Sequence, residues 1–246
     1  MTVTYDLLKK TIESKGYVWY EDRPNLIGIR TKLDVPNVFN DLFAIAYIVP
    51  AMPTSFSTRP DVQQKFLNVF GFRDANGNEL KVDGKIGSKT LYAAAQHRNA
   101  IGKPAIKVFT ITTDPGVYWL KNPMSSLGTA VLKPGQYKDA YQLGFHKRDN
   151  SHPALVQTGN MVTVYRDADK DTFAEETGKT EFGFFGINIH RAKADGESIS
   201  IDKWSAGCQV FPTAKNLGVV LDICEFYKAT VNNKFTYTLL KESDLV

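Results

Sequence analysis

The sequence predicts an α+β fold, mainly β with helices, in which a β-sandwich or mixed sheet carries a small helical insert. Three observations lead there. Short apolar and β-branched segments recur along the chain, set apart by turn residues among 18 glycines and 11 prolines. Two segments of helical period lie together between Pro50 and Pro104, interrupting that β texture. A further helical pattern stands near each end. The expected division is therefore 1–50 with 104–246 as one domain and 51–103 as the insert.

Taken in order, Thr4 has the chemistry of an N-cap for a helix through Lys15, with Leu8 and Ile12 on one face and Gly16 at the stop. YVWYED, LIGIRT and LFAIAYIV then read as strands, the last a continuous apolar run expected to be buried. In the insert, Thr58 and Asp61 have capping-box spacing ahead of Val62, Phe66, Val69 and Phe70. After the turn-rich DANGNE, Asp83-Gly84 marks a tight turn and Ser88 is placed to cap a second helix. The β texture resumes in AIKVFTITTDPG, GTAVLKPGQY, AYQLGFH, ALVQ, MVTVYRDAD and GFFGINIHRA. A helix from about Thr213 to Lys228, with Leu217, Val220, Leu221 and Cys224 on its apolar stripe, precedes the strand FTYTLLKE.

Composition narrows the function classes. A hydrophobic content of 43% on 246 residues supports an ordinary core without staples. Two cysteines make no disulfide framework. The net charge of +4 is scattered, so no nucleic-acid patch is expected, while a pull toward an anionic wall is compatible with it. No apolar run reaches membrane-spanning length, so no membrane insertion is expected. The start lacks the apolar core of a signal peptide. An enzyme reaching a bacterial wall would then be phage-encoded or otherwise exported.

The two cysteines differ in setting. Cys224 falls on a helix stripe, where a free thiol acts as a small hydrophobe. Cys208 stands in WSAGCQVF, on a turn of small residues whose backbone N–H groups are uncovered and suited to an oxyanion. Upstream, GINIHRA reads as a buried strand ending in His190, joined to that turn by one polar loop, which makes His190 the candidate base. His146, after LGF, is a candidate substrate contact; His97 and His152 show no visible chemistry. Asp167, Asp169 and Asp171 alternate like a calcium loop. Thr172 and Gly178 stand where an EF-hand needs glycine and glutamate, so an acidic solvated loop is expected there.

The order IxIH, loop, SxGC resembles the signature of the L,D-transpeptidase (YkuD) family of cell-wall enzymes, with His190, Ser205, Gly207 and Cys208 in register. TITTDPG and LKPGQY resemble that family's substrate-side strand and its Pro-x-Gly-x-aromatic segment, and the likeness spans about 105–211. It implies a cysteine nucleophile, Cys208, activated by His190, with Ser205 and Gly207 shaping the turn. Arg191, Tyr137, His146 and Trp204 would lie on the substrate side. No cofactor and no metal are implied. Three positions depart from the pattern: Ala206 replaces the family's second histidine, Arg191 a small residue, and Gln209-Val210-Phe211 an apolar-Arg-apolar ending.

VDGKIGSKTLYAAA, with Asp83, Gly84, Gly87, Thr90 and Ala94, is similar to the second half of a peptidoglycan-binding repeat, and VQQKFLNVFGF to its first helix. The two likenesses imply the same partner, bacterial peptidoglycan, and cysteine-dependent acyl transfer or hydrolysis on its stem peptides, as in an endolysin. Two other readings of these residues stand beside it. One is a catalytically decayed wall-binding or virion structural protein. The other is a zinc amidase using His146 or His152 with His190 and Cys208.

Overall fold

A computed structural model describes residues 2–32, 35–146 and 152–245. The chain is mixed α+β and divides into two compact units, one formed by 1–46 with 106–246 and the other by 47–105.

The first unit opens with α1 (Tyr5–Ser14), where Thr4 Oγ1 accepts the Leu7 N–H and the chain leaves through Gly16 at φ +71°. Its strands are β1 (Asn25–Arg30), β2 (Asp41–Ile48), β3 (Pro104–Ile111), β4 (Thr129–Leu132), β5 (Gly135–His146), β6 (His152–Gln157), β7 (Val162–Asp167), β8 (Thr180–Gly183), β9 (Ile189–Arg191), β10 (Gln209–Phe211) and β11 (Phe235–Lys241). Eight form one mixed sheet in the order β10-β9-β6-β5-β11-β1-β2-β3, and β4-β7-β8 form a second. β2 and β3 lead the chain out of and back into this unit, and the short helix α5 (Val117–Lys121) follows β3.

The continuous apolar run of β2 is buried as its sequence predicts: a strand covered on both faces shows no alternation. An aromatic row runs across the sheet, Phe211 to Phe43 (centroids 5.0 Å), Phe43 to Tyr237 (6.1 Å) and Tyr237 to Tyr141 (5.6 Å). Each such ring contributes roughly 1.5–3 kcal/mol by leaving water. Gly28 lies beneath it because a Cβ there would stand 1.8 Å from Tyr237 Oη. The helix α6 (Ala214–Thr230), N-capped by Thr213, packs over β5, β6, β9 and β10. Leu217, Val220, Ile223, Cys224 and Tyr227 are its buried face, whereas Leu221 is only half-buried.

Under β1 lies a buried ion cluster. Arg30 Nε is 3.0 Å from Asp114 Oδ1 and its Nη1 is 2.7 Å from Glu176 Oε1. Arg30 also donates to the Leu132 and Thr113 carbonyls, while Asp41 accepts from Thr113 and Thr31. Burial, opposed by Arg30, pushes the Asp114 carboxyl up to about 7.

The second unit holds α2 (Thr54–Ser57), α3 (Pro60–Val69) and α4 (Ser88–Ala100). Phe66, Leu67, Phe70, Leu80 and Ala93 form its core, and His97 is buried between Phe66 and Phe72, its Nε2 2.9 Å from Pro50 O. Gln64 ties the Asp83-Gly84 turn to α3. Its Oε1 accepts both turn N–H groups at 3.0 Å, and its Nε2 donates to Asp83 Oδ1 and Lys85 O.

Several local expectations change. YVWYED forms no strand, because side chains satisfy its backbone: Gln136 bonds both the N–H and the C=O of Val18, and Asn25 Oδ1 takes the Tyr20 N–H. Thr58 ends α2 and caps nothing; α3 begins with Pro60 in the first turn, where its missing N–H costs little, and Asp61 pairs with Arg59. Ser88 is the first residue of α4, with Gly87 at the N-cap. GINIHRA is a strand only over Ile189–Arg191, since Gly186 turns the chain at φ +69°.

Candidate active site

β9 and β10 pair in parallel, Gln209 beside Ile189 and Val210 beside His190, and the Gln209 N–H donates to Asn188 O at 2.9 Å. Matched residues of neighbouring strands project from one face and alternate along each strand. His190 therefore shares a side with Val210 and with Cys208, two positions earlier. Both line a cleft of about 860 Å³ in the first unit.

The turn before Cys208 is rigid. Ser205 is fully buried; its Oγ donates to Cys208 O at 2.8 Å and accepts the Gly207 N–H at 3.2 Å. Its own carbonyl accepts the Gly116 N–H at 2.9 Å. Gly207 has φ +120°, and a Cβ on it would meet Ala130 O at 2.4 Å. Ser205 and Gly207 thus shape the turn. Because the Gly207 N–H is spent on Ser205, it is not an oxyanion donor. The Ala206 N–H makes no hydrogen bond among the described residues, and Ala206 lines the cleft.

Cys208 Sγ lies 3.4 Å from Gly186 O, the contact of a protonated thiol, since two acceptors would repel. His190 is buried, and its Nδ1 is 2.9 Å from Arg191 O. A carbonyl only accepts, so Nδ1 carries the proton and Nε2 presents a lone pair. Burial first, then the neighbouring His146, pushes the imidazole down to about 3, with the Arg191 carbonyl opposing. The buried imidazole is therefore neutral.

Two amide side chains position these groups. Gln157 Oε1 accepts the N–H groups of Phe185, Gly186 and Ile187 at 3.0, 2.9 and 3.2 Å, which aims the Gly186 carbonyl at the thiol. Asn37, at φ +64°, takes the Val117 and Asp202 N–H groups on its Oδ1. It fixes the wall where Tyr118, Trp119, Lys203 and Trp204 meet; Lys203 Nζ lies 4.3 Å from the Tyr118 centroid. Neither amide announces itself in sequence, where it is one polar residue among many.

Arg191, His146 and Trp204 line the cleft, and so does His152, which shows no such signal in sequence. Tyr137 does not. It is buried on β5, its hydroxyl held between Lys133 O and Thr163 O, so it serves packing. His146, His152 and His190 gather, but His146 and His190 stack face to face, 4.0 Å apart and 13° from parallel. Stacked rings do not converge their nitrogens on one point, as metal ligation requires. Among the described residues no group of three or more His, Cys, Asp or Glu could hold a metal ion. In the acidic loop, Asp169 and Asp171 accept the Asp171 and Phe173 N–H groups, Asx turns that organise the loop internally. No helix among the described residues is long and apolar enough to cross a membrane.

Comparison with protein-family models, with curated proteins and with solved structures finds no match to this chain. The site therefore rests on its own geometry, that of a half-buried thiol and a neutral imidazole facing one cationic, aromatic cleft.

Proposed function

We propose that the protein is a cysteine-dependent acyltransferase or hydrolase of L,D-transpeptidase type, acting on peptidoglycan stem peptides at the bacterial wall. The observation that carries this reading is the His190 tautomer. With its proton held on Nδ1 by Arg191 O, Nε2 keeps a lone pair, and His190 lines the same cleft as Cys208.

The chemistry follows from those groups. His190 Nε2 takes the Sγ proton as Cys208 attacks an amide carbonyl carbon of the stem. The oxyanion forms beside the Ala206 N–H. Collapse breaks the C–N bond, the amine leaves with the proton from Nε2, and a thioester remains on Cys208. An amine or water, deprotonated by His190, then attacks the thioester and restores the thiol. Stem peptides carry several carboxylates, and Arg191 and Lys203 on the cleft wall suit them. The second unit, with its Gln64-braced Asp83-Gly84 turn, is read as a wall-binding module.

Incubation with purified muropeptides, followed by mass spectrometry, tests this. Loss of a stem residue, a cut cross-link or a new cross-link is expected with the native chain and not with Cys208→Ala. Unchanged muropeptides with the native chain would overturn the substrate assignment.

A further inference from the structure

The chain holds four histidines, and three of them meet at the cleft although they come from three strands. His146 ends β5 and sits directly opposite His152 at the start of β6. Its ring lies flat on that of His190, centroids 4.0 Å apart and planes within 13°. His152 stands further off, 5.4 Å from His146 and 5.8 Å from His190, and tilted to both.

His146 is held from behind. Asn188 Nδ2 lies 3.0 Å from His146 Nδ1. The other end of that amide decides its orientation: Asn188 Oδ1 accepts the Gln157 N–H at 2.9 Å, so the NH2 group faces His146. His146 Nδ1 is then the acceptor and its neutral ring carries the proton on Nε2. His190 has the opposite arrangement, proton on Nδ1 against Arg191 O. Two stacked imidazoles are thus fixed in complementary tautomers by backbone and amide partners that do not titrate.

We propose that His146 is a positioning residue for His190: stacked on it and tethered through Asn188 to the β6 backbone, it holds the ring in the plane and tautomer that present Nε2 to Cys208. The inference rests on the reading of Cys208 and His190 as the reacting pair. Among the described residues, the charged and titratable groups facing His190 are His146 from β5, His152 from β6, Arg191 from its own strand and Cys208 from the turn. Charging His146 would place a cation against a base that must accept a proton, so the stack works with both rings neutral.

The test uses alkylation of Cys208 by iodoacetamide across pH, which needs no natural substrate, and NMR of the imidazole nitrogens. In the native chain His190 shows the Nδ1–H pattern. In His146→Ala the pattern becomes a mixture of tautomers, and alkylation at pH 7 falls about tenfold, toward the His190→Ala level. His146→Phe restores a flat ring and returns alkylation to within about threefold of native. Native nitrogen shifts and an unchanged alkylation profile in His146→Ala would overturn the proposal. So would a His146→Phe chain that melts like the native protein yet is as slow as His146→Ala. Dependence on His146 in a protein that leaves muropeptides intact would support the positioning role and count against the substrate. Alkylation indifferent to His190→Ala would sink the pair on which both rest.

Discussion

The Nδ1 of His190 lies 2.9 Å from the carbonyl oxygen of Arg191, the next residue in the chain. That contact fixes the proton of a buried imidazole on Nδ1 and leaves the lone pair on Nε2. The imidazole is therefore held neutral, and that neutrality has a measurable cost at acid pH.

That cost gives the first prediction. The folded imidazole is depressed to about 3 from its ordinary 6.5. Between those values the unfolded chain binds a proton that the folded chain does not, so His190 makes stability fall as pH drops from 6.5 toward 3. Asp114, raised to about 7, and Asp167, raised to about 6, slope the other way but are common to native and variant chains. In urea melts, His190→Gln should gain on the native chain by on the order of 2 kcal/mol between pH 7 and pH 4.5. A constant difference across that range would contradict a buried neutral His190.

The two thiols should behave oppositely. Cys208 is half-buried in the cleft, whereas Cys224 is fully buried and its thiol is pushed up by burial. Peptide mapping after brief iodoacetamide treatment at pH 7.5 should find Cys208 labelled about a hundredfold faster. Equal, slow labelling would favour an inert scaffold.

The turn tolerates little. Gly207→Ala places a methyl against Ala130 O at a φ that side chains rarely adopt, and should cost more than about 2 kcal/mol and most of the Cys208 reactivity. Ser205→Ala leaves the Gly207 N–H and Cys208 carbonyl without their partner and should cost about 1–3 kcal/mol. Thermal melts beside alkylation rates check both. Native reactivity in Gly207→Ala would show that the turn does not position Cys208.

Removing Arg30 should cost more still. Arg30→Met leaves the buried Asp114 without its cation, while Glu176 keeps Lys241, a loss of about 3–5 kcal/mol at pH 7.5. Because the Asp114 segment leads into Gly116, which bonds Ser205 O, Cys208 reactivity should fall with it. A melt within about 1 kcal/mol of native would mean the cluster contributes little.

Much of the fold was legible because its signals are local. The apolar run of β2, the Thr4 cap, and the start and stripe of α6 each follow from neighbouring residues. The α+β class follows from these same signals. YVWYED misled because its composition is strand-like while its hydrogen bonds go to Gln136 and Asn25, far from it in sequence. In the site, Cys208, Ser205 and Gly207 are contiguous and could be read from their turn. The meeting of His146 with His190 could not, because it depends on hairpin register and on Asn188 and Gln157 acting at a distance. Tyr137 shows the reverse error: a motif position whose hydroxyl is used up by backbone carbonyls.

The central claim is that Cys208 becomes acylated by a stem peptide. Rapid acid quench during muropeptide turnover, then intact-protein mass spectrometry and peptide mapping, tests it most directly. The account predicts a stem-peptide adduct, labile to hydroxylamine as a thioester, on the peptide containing Cys208 and absent from Cys208→Ala. Turnover without any adduct, or with an adduct that persists in Cys208→Ala, would contradict it.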